Sequence, residues 1–381
     1  MAVERLSLNR FLTYVKDQHE GQKERPFCFI LGAGASVQSD IPTGGQLVDR
    51  WLREMHADAE DRNLTIEEWA NKAFGHLNNF TYGRRAEFYG DIYKANFRGR
   101  NKAGHVFLES QLTGKEPSFG YSILAYILAN TQHKVVITTN FDNLVSDSLF
   151  LYSNTAPILC GHESLAAYAT PQLHRPLVIK IHRDILLHPR NQADEIDELD
   201  RQWREPLEKV LNWFTPIFIG YGGNDGSLMG FLESLPKHIP ENIYWCMRAG
   251  SPLNERVAKL LEARNGFLVQ IPGFDELMLL LKEKLDIPDL LPDLEARHKN
   301  RVERYHNQFS ILAKTSFAES QLLKPHPNKK LFLMPLWLRC RRQKWKTHRN
   351  RGFFVRRPRV TKPRPKQYTA KLSSSIQTIA I

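Results

Sequence analysis

The 381-residue sequence contains four cysteines, Cys28, Cys160, Cys246 and Cys340, and no Cys-x-x-Cys pair. Thiols so far apart offer neither a zinc ribbon nor a disulfide framework, and no metal site is expected. Cys28 and Cys246 stand inside apolar strand-like runs, as small buried residues do. Runs of about 18 uncharged apolar residues are also missing. The N-terminal MAVERLSLNRFLTYVKDQHEGQKERP is charged throughout, so neither a signal peptide nor a membrane span is expected and the chain reads as cytoplasmic. Acidic residues are absent from Lys324 to Ile381, a stretch that holds 17 of the 53 Lys and Arg. The residues before it carry 36 basic against 41 acidic side chains, a net of −5, so the formal charge of +12 belongs to the tail alone. Any affinity for nucleic acid is thereby confined to the tail.

What is present is enough apolar material, 42% of residues, to fill a core. Residues 4–20 read as an amphipathic helix, with Leu6, Phe11, Leu12 and Val15 at helical spacing. PFCFILGAG reads as a buried strand ending in a glycine turn, with a helix starting near Gly45. Residues 62–130 hold long-spaced apolar positions and few strand signals, and the region of about 50–130 is assigned as a helical insertion. KVVITTNFD (134–142), PLVIKIHRD (176–184), PIFIGYGGND (216–225), NIYWCMRAG (242–250) and GFLVQIPG (266–273) read as strands buried on both faces. Helical segments such as WREPLEKVLNWF and LNERVAKLLEARN separate them, which predicts a doubly wound, Rossmann-like parallel α/β sheet. This domain is expected over 1–290, followed by a polar helical extension over 291–323. The basic tail, 324–381, has no acidic partners and few periodic apolar positions, and is expected to be disordered.

In a doubly wound sheet, ligands bind beyond the carboxyl ends of the strands, where strand order reverses. The polar motifs fall at those ends. Gly32-Ala33-Gly34-Ala35-Ser36 lets backbone approach a ligand, and a following helix N-terminus offers N–H groups to a pyrophosphate. Val37 stands where the common Gly-x-Gly-x-x-Gly fingerprint has its third glycine. Asn140 can orient a hydroxyl or a water, and Asp142 either accepts from a ribose or caps the helix that follows. His182 ends the next strand, where a group with a near-neutral pKa suits a general base. Gly220-Tyr221-Gly222-Gly223-Asn224-Asp225 again brings backbone close to a ligand, with Asn224 and Asp225 available for hydroxyl or base-edge contacts.

Together these motifs resemble the sirtuin superfamily. GAGAS followed by Ile41-Pro42 looks like its Gly-Ala-Gly-x-Ser…Ile-Pro signature, Thr139-Asn140-Phe141-Asp142 like its Gln-Asn-x-Asp, and Lys180-Ile181-His182 like its catalytic histidine segment. GYGGND stands in place of its Gly-Thr-Ser loop. The departures matter equally: the two Cys-x-x-Cys pairs of the deacetylases' zinc module are missing, Thr43-Gly44-Gly45 replaces Asp-Phe-Arg, and Arg183 replaces the glycine after the histidine. The pattern is similar to bacterial antiphage-defence sirtuin-like proteins, which hydrolyse NAD to ADP-ribose and nicotinamide. That resemblance implies NAD as substrate and no metal, with Asn140 and His182 catalytic. It also implies a nucleotide held by Gly32, Ala33, Gly34, Ser36, Ile41, Pro42, Asp142, Gly220, Gly222, Asn224 and Asp225. Self-association or a HerA-type ATPase partner would control such an activity. The alternatives are a non-catalytic NAD or ADP-ribose sensor and a nucleic-acid-binding protein acting through its tail.

Overall fold

The computed structural model describes residues 3–21, 25–184, 201–240 and 242–314. A short strand β1 (Glu4–Leu6) precedes helix α1 (Leu8–Glu20). Strand β2 (Phe27–Leu31) runs into a 3-10 helix over Ala33–Ser39 and then α2 (Gly44–Ala57). Next come α3 (Ile66–Ala73), a 3-10 helix over Tyr82–Phe88, α4 (Tyr89–Asn96), α5 (Asn101–Leu112) and α6 (Phe119–Asn130). The chain continues through β3 (Val135–Thr138), α7 (Leu144–Ser153), β4 (Ile158–Cys160), a 3-10 helix over Glu163–Tyr168 and β5 (Leu177–Lys180). It then forms α8 (Arg201–Trp213), β6 (Thr215–Ile219), α9 (Gly226–Ser234) and β7 (Tyr244–Arg248). Last are α10 (Glu255–Ala263), β8 (Phe267–Ile271), α11 (Phe274–Lys284) and α12 (Leu291–Lys314). The chain divides into two compact units, Met1–Arg304 and Tyr305–Ile381; of the second, the described residues are the helical 305–314. The basic tail lies outside the described residues.

Among the described residues all strands join one eight-stranded sheet in the order β1-β8-β7-β6-β2-β3-β5-β4, and every pairing is parallel. This is the expected doubly wound α/β architecture. From β2 the chain passes to β3, out to the edge strand β4 and back to β5 between them, then crosses to β6 on the other side of β2. The order therefore reverses at β2, and the loops leaving β2, β3 and β6 share one crevice.

Strand residues alternate between two cores, as the two-residue period of a strand requires. Phe27, Phe29 and Leu31 of β2 pack with α1, α6, α7 and α11 on one face, while Cys28 and Ile30 pack with α8, α9 and α10 on the other. A third cluster gathers Trp51, Phe74, Phe80, Ile92, Tyr93, Phe97 and Leu108 from α2 to α5. Capping boxes start two of its helices, Thr43 with Gln46 and Thr65 with Glu68.

Three local readings change. Residues 4–6 are a strand, paired with β8 at the sheet edge, and the helix begins only after Ser7, whose hydroxyl accepts from the Arg10 N–H. β4, paired with β5, is a further edge strand within a segment that carried no strand pattern. Within the stretch read as a helical insertion, α6 packs on the sheet, its buried face of Tyr121, Ile123, Leu124, Ile127 and Leu128 belonging to the main core.

Candidate functional site

The glycine turn after β2 is shaped first by its neighbour loop. Gly32 N–H donates to the Ile219 carbonyl (3.1 Å) and Gly34 N–H to the Gly220 carbonyl (2.9 Å), locking the β2 and β6 loops together. A Cβ on Gly32 would lie 2.5 Å from Tyr221 Cα, and one on Gly34 2.8 Å from Gly220 Cα. Gly220 adopts φ +68°, and its own Cβ would lie 2.3 Å from the Ala35 nitrogen. The missing side chains thus serve loop-to-loop contact, and Gly34 N–H is already engaged. Val37 is 38% exposed on the 3-10 helix, so no packing requirement calls for a third glycine there.

Ser36, fully buried, joins the β2 and β3 loops. Its hydroxyl donates to Asp142 Oδ2 (2.8 Å) and accepts from Asn140 Nδ2 (3.1 Å). Since a serine has one hydrogen, the buried Tyr121 phenol 3.1 Å away must donate to it. Asn140 Nδ2 also donates to the Gly32 carbonyl (3.1 Å), which fixes the carboxamide and leaves its oxygen without a protein partner among the described residues. Asp142 Oδ1 accepts from the N–H of Leu144 (3.2 Å), the first residue of α7, whose N-cap position is Asn143. Burial raises the Asp142 carboxyl above its ordinary pKa, with the Ser36 hydrogen bond and Lys180 pulling it back.

Lys180, the last residue of β5, is 1% exposed. Its three ammonium hydrogens go to the Phe141 carbonyl (2.8 Å), Asn143 Oδ1 (2.8 Å) and Asp184 Oδ2 (2.7 Å). Burial lowers its pKa, against the attraction of Asp184. The loop bearing Asn140 and Asp142 is thereby tied from below to the strand bearing His182.

His182 is buried, with Nε2 2.7 Å from Ser227 Oγ. Ser227 donates to Asp225 Oδ1 (2.9 Å), and Asp225 also caps α9 through Leu228 N–H (2.8 Å) and accepts from the Tyr221 phenol. Asp225 is thus fully engaged within its own loop, and Asn224 Oδ1 accepts from Asn254 Nδ2 (3.0 Å).

Above these groups opens a cavity of about 420 Å³, walled on the strand side by Ala33, Gly34, Ser36, Asn140, Asp142 and His182 and on the other by Leu47, Tyr89 and Leu108. Ile41, Pro42, Gly220, Gly222, Asn224 and Asp225 complete it; among the sequence-selected residues only Gly32 lies outside the lining. The volume suits a small molecule. Among the described residues, no Lys or Arg lines the cavity. Gly44 and Gly45, in the first turn of α2 beyond the Thr43 cap, line the cleft, where helix N-terminal N–H groups suit an anionic group.

A SIR2-like domain family model matches residues 134–268, the stretch from the approach to β3 into β8. Over that stretch, about a third of its length, the chain is similar to SIR2-like domains. Along 256 residues it is 23% identical to Defense-associated sirtuin 2 of Bacillus subtilis, an alignment covering 64% of this chain and 23% of that protein's length. The matched SIR2-like stretch holds Asn140, Asp142, His182 and the Gly220–Asp225 loop, while the GAGAS turn precedes it. Among the described residues, no group of His, Cys, Asp and Glu can hold a metal ion, and no helix is long and apolar enough to cross a membrane.

Arg183, which replaces the sirtuin glycine, sits at φ +67°, the left-handed region glycine enters freely. Its guanidinium pairs with the buried Glu163, Nε to Oε2 at 2.8 Å and a second contact to Oε1, which holds this backbone in place. Sequence reading missed Tyr121, Lys180 and Ser227 as parts of the site. A lone lysine in an otherwise apolar strand was a readable signal for Lys180; Tyr121 lies on a core helix with no motif of its own.

Proposed function

We propose that this SIR2-like cleft binds NAD and hydrolyses it to ADP-ribose and nicotinamide, in a role in antiphage defence. The reading is supported above all by Asn140 and His182, which come from different strands and line one cavity. In the reaction the bond from ribose C1′ to the nicotinamide nitrogen breaks, its electron pair leaving on the ring; water adds to C1′ and releases a proton. Asn140, its amide held by Gly32 and Ser36, presents its oxygen to a ribose hydroxyl or the water. His182 takes the proton. Asp142, anchored by Ser36 and Leu144, bounds the nicotinamide side, and the backbone of Ala33, Gly44 and Gly45 faces the diphosphate. The defence role draws on the similarity to Defense-associated sirtuin 2.

Nicotinamide release from NAD by the full chain, and the NAD content of cells expressing it, test the reading. The expected result is NAD loss that falls about a hundredfold or more in Asn140→Ala and His182→Ala. NAD that stays intact in both settings, or variants equal to wild type, would refute it.

A further inference from the structure

We propose that Ser227 is a positioning residue that fixes the tautomer and ring orientation of His182, with Asp225 and Tyr221 acting through it. The role in catalysis rests on the NAD-cleaving reading of the cleft; the proton arrangement does not.

The acceptors decide where the hydrogens lie. An ionised carboxylate only accepts, and Asp225 accepts from Leu228 N–H (2.8 Å), from the Ser227 hydroxyl (2.9 Å) and from the Tyr221 phenol. The single Ser227 hydrogen is thereby used. Ser227 Oγ has only lone pairs left for His182 Nε2 at 2.7 Å, so the hydrogen between them belongs to the imidazole. Were Ser227 to donate to the ring instead, two lone-pair oxygens would face each other at 2.9 Å across Ser227 and Asp225. The neutral ring facing Ser227 therefore carries its proton on Nε2.

The relay is built to stay in place. Asp225 is the N-cap of α9, so the helix backbone fixes its carboxylate. Ser227 lies in the first turn of that helix and is 2% exposed, which restricts its hydroxyl. Burial, first, and then the Asp225 charge keep the Tyr221 phenol protonated, its pKa well above the ordinary value. All three residues follow β6 while His182 follows β5, so the same bonds hold two walls of the crevice together. A flipped ring would break the Nε2 bond.

The test uses the full chain labelled with 15N-histidine, the His182 signals being those that vanish in His182→Asn. The expected result is the Nε2–H tautomer in wild type, a mixture of tautomers in Ser227→Ala, and recovery in Ser227→Thr. Nicotinamide release is measured alongside, with thermal melts to confirm folding. Ser227→Ala is expected to lower kcat about tenfold with KM changed less than about twofold. An Nδ1–H tautomer in wild type overturns the proposal, and so does a Ser227→Ala variant with unaltered tautomer and kcat. If wild type shows the Nε2–H tautomer and loses it in Ser227→Ala but leaves NAD intact, the proton arrangement stands and the NAD reading fails.

Discussion

Ser36→Ala removes one buried oxygen on which three side chains converge. Asp142 loses the hydroxyl at 2.8 Å, and Tyr121, whose phenol is buried, loses its acceptor at 3.1 Å. Asn140 loses one of its two Nδ2 bonds but keeps the Gly32 carbonyl. A hydrogen bond to a charged group is worth about 1.5–3 kcal/mol and an orphaned buried donor costs about 1–3 kcal/mol, so a destabilisation of about 3–5 kcal/mol is expected. Losing that bond also pushes the already raised Asp142 carboxyl further up. Urea unfolding of wild type, Ser36→Ala, Tyr121→Phe and the double variant measures this. Tyr121→Phe removes a satisfied phenol from wild type but an orphaned one from Ser36→Ala, where it should be neutral or stabilising; the coupling should reach about 1–2 kcal/mol. A Ser36→Ala loss under about 1 kcal/mol, with additive double-mutant energies, would refute the hub.

Other outcomes follow from the same geometry. Gly220→Ala should destabilise by more than about 2 kcal/mol, because its positive φ and its approach to Ala35 both penalise a Cβ. Gly83→Ala, with nothing within 4 Å of its Cβ, is the control and should stay within about 0.5 kcal/mol in the same melts. Lys180→Met strips Asp184 of its ammonium partner and unties the Phe141 carbonyl and Asn143; a loss of about 3–5 kcal/mol is expected, and one below about 1 kcal/mol would contradict the assignment. His133 accepts the Phe27 N–H and is held by burial, reinforced by His19, at a pKa of about 3. Below about pH 6.5 the unfolded chain binds the extra proton, so native stability should fall with pH by roughly 2 kcal/mol at pH 5. Urea midpoints near pH 7.5 and 5 read this slope, and His133→Asn should flatten it; an unchanged slope would locate the loss elsewhere.

The central sheet was legible because β2, β3, β5, β6, β7 and β8 are short apolar runs with turn residues at their ends, a pattern that both-face burial imposes. The edge strands β1 and β4 were not. Each is three residues long and is defined by pairing with β8 or β5, which no local pattern encodes. In the site, residues at strand ends were readable because topology alone places them at the crevice. Their partners were not, since Tyr121 reaches Ser36 from a helix 85 positions away in sequence and Ser227 reaches His182 across 45. Even at readable positions the reason shifted. Gly32 and Gly34 were selected for approach to a ligand, and the structure uses them first to seat one loop on another.

The claim that the loops after β2, β3, β5 and β6 form one NAD site is tested most directly by calorimetric titration of NAD into Asn140→Ala, in which the proposed cleavage is expected to be suppressed. Gly45→Trp should fill the cleft from the first turn of α2, where Gly45 lines the cavity with Ala86 3.8 Å from its Cβ position. Saturable binding at one site per chain, abolished when Gly45→Trp is added, is the predicted result; absence of saturable binding, or binding that survives Gly45→Trp, would contradict it.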